Sequence, residues 1–200
     1  MDRRVSGEDE DLLLYAGRLA RLDAKSLVRV EPGAVWSILP IQLLARRRMN
    51  TSCLPGIYQA GDFSEGIPAG PRADLRWLQR LPKEADVLEE VPARTLAEVD
   101  RAAGAALRER RGQGVGDRRL RDVMLDHVVI TVDTGGRRYE VRQRLVTGLM
   151  RMGFLGPAAE GTVQVVGESP TGRRLGLRAP YGEVWELDRS LTLTPVRPSS

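Results

Sequence analysis

Residues His127 to Gln143 read HVVITVDTGGRRYEVRQ, and this stretch decides the fold class. Val128, Ile130 and Val132 alternate with Val129, Thr131 and Asp133. Period-two alternation rich in β-branched residues gives a strand with at least one buried face. Asp133-Thr134-Gly135-Gly136 then breaks the run, and the two glycines supply the positive-φ positions that a tight hairpin needs. The chain returns through Arg138 to Arg142, with Tyr139 and Val141 inward and Arg138, Glu140 and Arg142 outward. RQRLVTGLMRMGFLGP follows. Leu145, Leu149 and Met152 fall at i, i+4 and i+7, one face of a helix. Gly153 is a left-handed stop, Phe154 folds back on Leu149, and Pro157 forbids continuation. A hairpin feeding an amphipathic helix is too small to stand alone. The flanking segments are therefore expected to pack over it.

Outward from there, Asp117 to Met124 reads as a short helix leading into the first hairpin strand. Thr95-Leu96-Ala97-Glu98 has the form of a capping box, opening a helix whose buried side is Leu96, Val99, Ala103, Ala106 and Leu107. Gly112 is expected to end that helix, and Gly112 to Gly116 to form a flexible connector. Near the N-terminus, Ser6-Gly7-Glu8-Asp9 is another capping box, and Leu12, Tyr15, Ala16, Leu19 and Leu22 form the apolar stripe after it. Leu27 to Val30 and Val35 to Leu39 read as strands, and Leu43 to Met49 reads as a third strand or a short helix, with the strand preferred. Asn50 to Pro92 is punctuated by Pro and Gly and reads as a surface connector pinned by Trp77. Only Asp74 to Leu81 has helical spacing there, with Leu75 and Leu78 as anchors. After Pro157 the strand candidates are Val163 to Val166, Arg174 to Arg178, Glu183 to Leu187 and Leu191 to Thr194.

The expected class is α+β: mostly antiparallel sheet, N-terminal, central and post-hairpin helices, and one compact domain with a long internal loop. Its parts are 1–50 (helix and small β module), 51–92 (connector) and 93–196 (helix, hairpin, helix and C-terminal strands), with 1–50 able to join the last in a single domain. No internal repeat is evident. RLVTGLMRMGFLG followed by RLGLRAPYGEVW resembles a family of uncharacterised actinobacterial proteins. The resemblance lies mainly in residues 120–187, with an echo in Leu19 to Arg46. It implies no activity and no site residues.

Bulk composition narrows the function classes. No apolar run approaches the ~18 residues of a membrane span. A single cysteine, Cys53, excludes an internal disulfide framework and a cysteine metal cage. Acids stand where a signal peptide would carry its apolar stretch. A cytoplasmic protein without a membrane partner is expected. The net charge of +4 and pI near 9.7 invite a nucleic-acid reading. Yet Lys25 and Lys83 are the only lysines, an arginine bias that a GC-rich genome writes through its codons. The charge is uneven: 51–100 holds five basic and nine acidic residues, net −4, and 101–150 holds eleven and six, net +5.

Motifs for chemistry are scarce. His127 is the only histidine, and there is no HExxH or Cys cluster, so no metal, cofactor or catalytic residue is assigned. A structural histidine at a strand edge outweighs a catalytic one. Gly112 to Gly116 follows a helix and lacks the Lys-Ser or Lys-Thr of a phosphate loop. Cys53 has no basic neighbour in sequence to lower its pKa and is expected to be inert. Asp122, Asp126 and Asp133 lie near the hairpin, and a solvated face explains them. The arginines Arg118, Arg119, Arg121, Arg137, Arg138, Arg144 and Arg151 are the candidate nucleic-acid-binding set, with Arg144, Gly148 and Arg151 on one helix face opposite the leucines. Aromatic residues at 4% are too few for a base-stacking platform. Three functions follow in order of preference. The first is a non-catalytic interaction or scaffold protein with a protein partner. The second is a nucleic-acid-associated regulator using the arginine face. The third is a metal-independent enzyme using carboxylates and arginines. The first requires an apolar groove or an open sheet edge, and no convergent polar pocket.

Overall fold

The computed structural model describes residues 7–64, 67–110, 117–169 and 174–188. In chain order the elements are α1 (Gly7–Leu22), β1 (Leu27–Glu31), β2 (Ala34–Leu39), β3 (Leu43–Arg48), β4 (Gly56–Gln59), β5 (Phe63–Ser64) and β6 (Ile67–Pro68). Then come β7 (Ala85–Pro92), α2 (Ala93–Glu109), α3 (Asp117–Asp126), β8 (Val128–Thr134), β9 (Arg137–Arg142), α4 (Gln143–Arg151), β10 (Thr162–Glu168), β11 (Leu175–Ala179) and β12 (Gly182–Glu186). Eight strands form one sheet in the order β4-β1-β2-β3-β12-β11-β10-β7, every pairing antiparallel. The fold is α+β, as the order of local signals requires. Segments 1–50 and 93–196 share this sheet, because β3 pairs with β12 at its centre.

That arrangement reads alike from both ends. A helix followed by a three-strand meander occurs twice, as α1-β1-β2-β3 and as α4-β10-β11-β12. The repeat lies in element order, while the residues differ enough that none shows in the sequence.

α1 and α4 cover one face of the sheet. Leu12, Tyr15 and Leu19 of α1 and Leu145, Val146 and Leu149 of α4 are buried with Val28, Leu43, Ala45, Val184 and Leu177. α4 lies so close that a Cβ on Gly148 would stand 2.6 Å from Leu43 Cδ1. Its end is a Schellman motif: Phe154 N donates to Leu149 O and Gly153 N to Met150 O, with Gly153 at φ +70.

The hairpin forms with Gly135 and Gly136 at positive φ, but it stands as a separate two-stranded sheet. It is therefore not the platform on which the rest packs. Val132 and Val141 are buried, while Val128, Ile130 and Tyr139 are half-buried. A two-stranded unit offers too little apolar face to organise a core; the eight-stranded sheet does that.

The second face of the sheet is crossed by a strap. Ala73 N donates to Ile57 O beside the β4 edge, and by Ala85 the chain has entered β7 at the opposite edge. Trp77 and Leu81 of the strap pack with Trp36, Leu44, Val166 and Trp185. Seven inter-strand steps make the sheet roughly 34 Å wide. About a dozen extended residues reach roughly 40 Å. A two-turn helix over 74–81 would advance only about 12 Å and leave the strap too short. The expected helix accordingly reduces to one 3-10 turn, Asp74–Arg76. Trp77 is the anchor, but Leu75 and Leu78 are 95% and 70% exposed, contrary to the helical reading. The connector also supplies two strands of the main sheet, β4 and β7, that its Pro and Gly content hid.

Two other expectations change. α2 begins at Ala93 with Pro92 at its N-cap and no side-chain cap, so Thr95 is inside the helix. Along α2 only Leu96 of the expected stripe is fully buried; Val99, Ala103, Ala106 and Leu107 are half-buried. Ser6 and the strand expected at 191–194 lie outside the described residues.

Candidate functional site

Three helices meet beside the hairpin, and each brings one stripe of residues. α2 contributes Asp100, Ala103, Gly104 and Leu107; α3 contributes Arg121, Met124 and Leu125; α4 contributes Gln143, Thr147 and Arg151. Spacings of three and four place each set on one helical face. Together they line a groove of about 130 Å³. Ala103, Gly104, Leu107 and Met124 are half-buried, so its apolar walls remain open to solvent, and Arg121 and Arg151 are exposed on its rim. An apolar hole of roughly 150 Å³ accepts a benzene-sized group. The groove thus has room for one apolar side chain.

Its polar floor is closed by internal hydrogen bonds. Asp100 Oδ1 accepts from Thr147 Oγ1 at 2.7 Å and from Gln143 Nε2 at 3.1 Å. Gln143 Nε2 also reaches Thr147 Oγ1 at 3.1 Å. These contacts join α2 to α4 and satisfy groups that burial would otherwise penalise. Sequence reasoning found Leu107, Arg121 and Arg151 but missed Asp100, Gln143 and Thr147. Their partnership spans more than forty residues of chain, and no local spacing signals it.

The seven arginines do not form one face. Arg144 is buried, ion-paired with Asp126, and its Nη1 reaches Ile41 O at 3.5 Å and Gln42 Oε1 at 3.4 Å. Gly148 is buried against Leu43 and Leu39. The expected solvated face of Arg144, Gly148 and Arg151 therefore does not exist; α4 is buried nearly all round because the sheet, α2 and α3 surround it. Arg138 is held by Asp133 at 3.0 Å, and that guanidinium keeps the Asp133 carboxyl below its ordinary range. Arg137, at the hairpin tip, is also engaged. Arg118, Arg119, Arg121 and Arg151 are exposed.

The other chemical candidates do not converge. α3 does reach Asp126, which binds Arg144 and Arg142, while Asp122 is exposed and Asp133 is at the hairpin. His127 is exposed where α3 meets β8. Its carbonyl accepts from Gln143 N at 2.8 Å. Cys53 is buried, and burial, with Asp9 nearby, pushes its thiol pKa up. Among the described residues no group of three or more His, Cys, Asp or Glu could hold a metal ion, and no helix is long and apolar enough to cross a membrane.

No curated protein matches the chain. One family does, over residues 82–191, from just before β7 to beyond β12. This span is more than half of the chain; it contains all three groove helices and the β7-β10-β11-β12 half of the sheet. The chain belongs to the family described as Domain of unknown function (DUF8185).

Proposed function

We propose that this is a non-catalytic interaction protein whose α2-α3-α4 groove takes an acidic segment of a partner protein through one apolar anchor side chain. The observation that carries this reading is the open apolar groove between Leu107 and Met124 with Arg121 and Arg151 on its rim. Fully burying one aliphatic side chain is worth roughly 1.5–3 kcal/mol. Rim arginines add attraction and orientation for carboxylates more than raw affinity. A phosphate backbone would engage the arginines but leave the apolar walls uncovered, which favours a peptide over a nucleic acid. A cytoplasmic setting fits the lone thiol. Kinship with actinobacterial proteins fits the preference for arginine over lysine.

Selection of a random peptide library against the protein tests the reading. Selected peptides should share an apolar residue flanked by Asp or Glu. Their binding should fall at least tenfold in Leu107→Glu and in Arg121→Glu, the latter an exposed change that spares the fold. Peptides without acidic residues, or undiminished binding by either variant, would overturn it. Retention on heparin at low salt that Arg118→Gln and Arg119→Gln abolish, with no peptide selected, would put the nucleic-acid reading in its place.

A further inference from the structure

On the second face of the sheet, beside the strap, one row of cross-strand neighbours runs Arg29, Trp36, Arg46, Glu183, Arg178 and Gln164. At its middle, Arg46 Nη1 donates to Glu183 Oε1 at 2.9 Å and Arg178 Nε to Glu183 Oε2 at 3.1 Å. One buried carboxylate thus serves two guanidiniums and cannot neutralise both. The Arg46 guanidinium also lies over the Trp36 ring, 5.0 Å from its centroid. These contacts fix both arginines before anything binds.

A cavity of about 210 Å³ opens beside them, lined also by Arg48, Tyr181 and Gly182. Arg48 is exposed. Arg47, the remaining arginine of the lining, is engaged by Asp11 through hydrogen bonds of 2.9 Å. Tyr181 is 51% exposed, yet it is held in place. Its amide donates to Phe154 O at 3.1 Å, and its ring lies where a Cβ on Gly156 would approach to 2.6 Å. Gly156 at φ +74 suits that close approach, since glycine alone tolerates both.

We infer that this corner is a binding site for a small oxyanion, a carboxylate- or phosphate-bearing molecule clasped by Arg46, Arg48 and Arg178 with Tyr181 against it. Guanidinium groups match the two-oxygen geometry of either anion. The volume lies below the 300–1,000 Å³ or so of sites for larger ligands, which selects a small one. The site is separate from the helical groove and does not depend on it.

Calorimetric titration and thermal unfolding with inorganic phosphate and with succinate, at ionic strength matched by sodium chloride, test the inference. Either anion should bind saturably at millimolar concentration or below and raise the melting temperature; which one binds more tightly identifies the source. Affinity should drop at least tenfold in Arg178→Gln and in Arg48→Gln. The second change is at an exposed side chain and keeps the test valid should the first disturb Glu183. No saturable response to either anion, or an undiminished response in Arg48→Gln, would overturn the inference.

Discussion

Tyr15 shows how a single side chain ties this fold together. It is fully buried, its hydroxyl shares a 2.7 Å hydrogen bond with Ser37 Oγ and donates to Ala45 O at 3.1 Å, and its ring stacks on Phe154. α1, β2, β3 and the end of α4 thus meet at one residue. Burial pushes the phenol far above its ordinary pKa, and the Ser37 hydrogen bond and Arg47 offset this only in part. The proton is therefore held more tightly in the folded chain than in the unfolded one. The resulting stability is present in full below the unfolded value of about 10 and is lost as pH rises from there toward the folded value. Tyr15→Phe should remove that alkaline loss. At pH 7 it should cost about 1–3 kcal/mol, because Ser37, itself buried, loses its partner. Denaturant titrations at pH 7 and above pH 10 read both effects. Tyr15 was legible in the sequence as a core position on the α1 stripe; its partners were not, since Ser37 and Ala45 are set by how α1 lies across the sheet.

Among the elements, the strap shows where local reading fails. DLRWLQRL has helical spacing, but it lies in a strap that runs from the β4 edge at Ala73 to the β7 edge at Ala85, and only a nearly extended path spans that distance. Tertiary geometry overrides local propensity there. The hairpin, the Schellman end of α4 and the α1 stripe are the opposite case. Each is determined by residues within one or two turns of chain, and each forms as its sequence implies. Trp77 anchors the strap in the apolar cluster of the second face, with its indole Nε1 donating to Gln79 O at 2.8 Å and the Arg29 guanidinium 5.8 Å from its ring centroid. Trp77→Ala should cost about 3–5 kcal/mol, the range for a buried aromatic truncated to alanine. Limited proteolysis should then cut within residues 73–84 well before global unfolding. Cleavage that begins in the hairpin instead would show that the strap is held by other contacts.

For the whole molecule, the antiparallel α+β class was legible because enough strands and helices carry clear periodicity. The centre of organisation was not. It is the β3-β12 pairing, which joins residues some 140 positions apart, and no local pattern marks it. The same distance problem separated the arginines. Arg144 looked like one of a basic set and is instead buried against Asp126. Two of the remaining basic positions, Arg121 and Arg151, come together at an apolar groove that could be seen only once α2, α3 and α4 were in place. The family match spans all three helices, so the groove lies wholly within the shared domain.

Hydrogen–deuterium exchange of the intact protein, with and without a selected acidic peptide, tests the groove most directly. Amide exchange should slow in α2 and α3, along 100–107 and 121–125, while the β11-β12 corner and the β7 edge stay unchanged. Protection confined to that corner or to β7, with α2 and α3 unaffected, would contradict the assignment of the groove as the interaction surface.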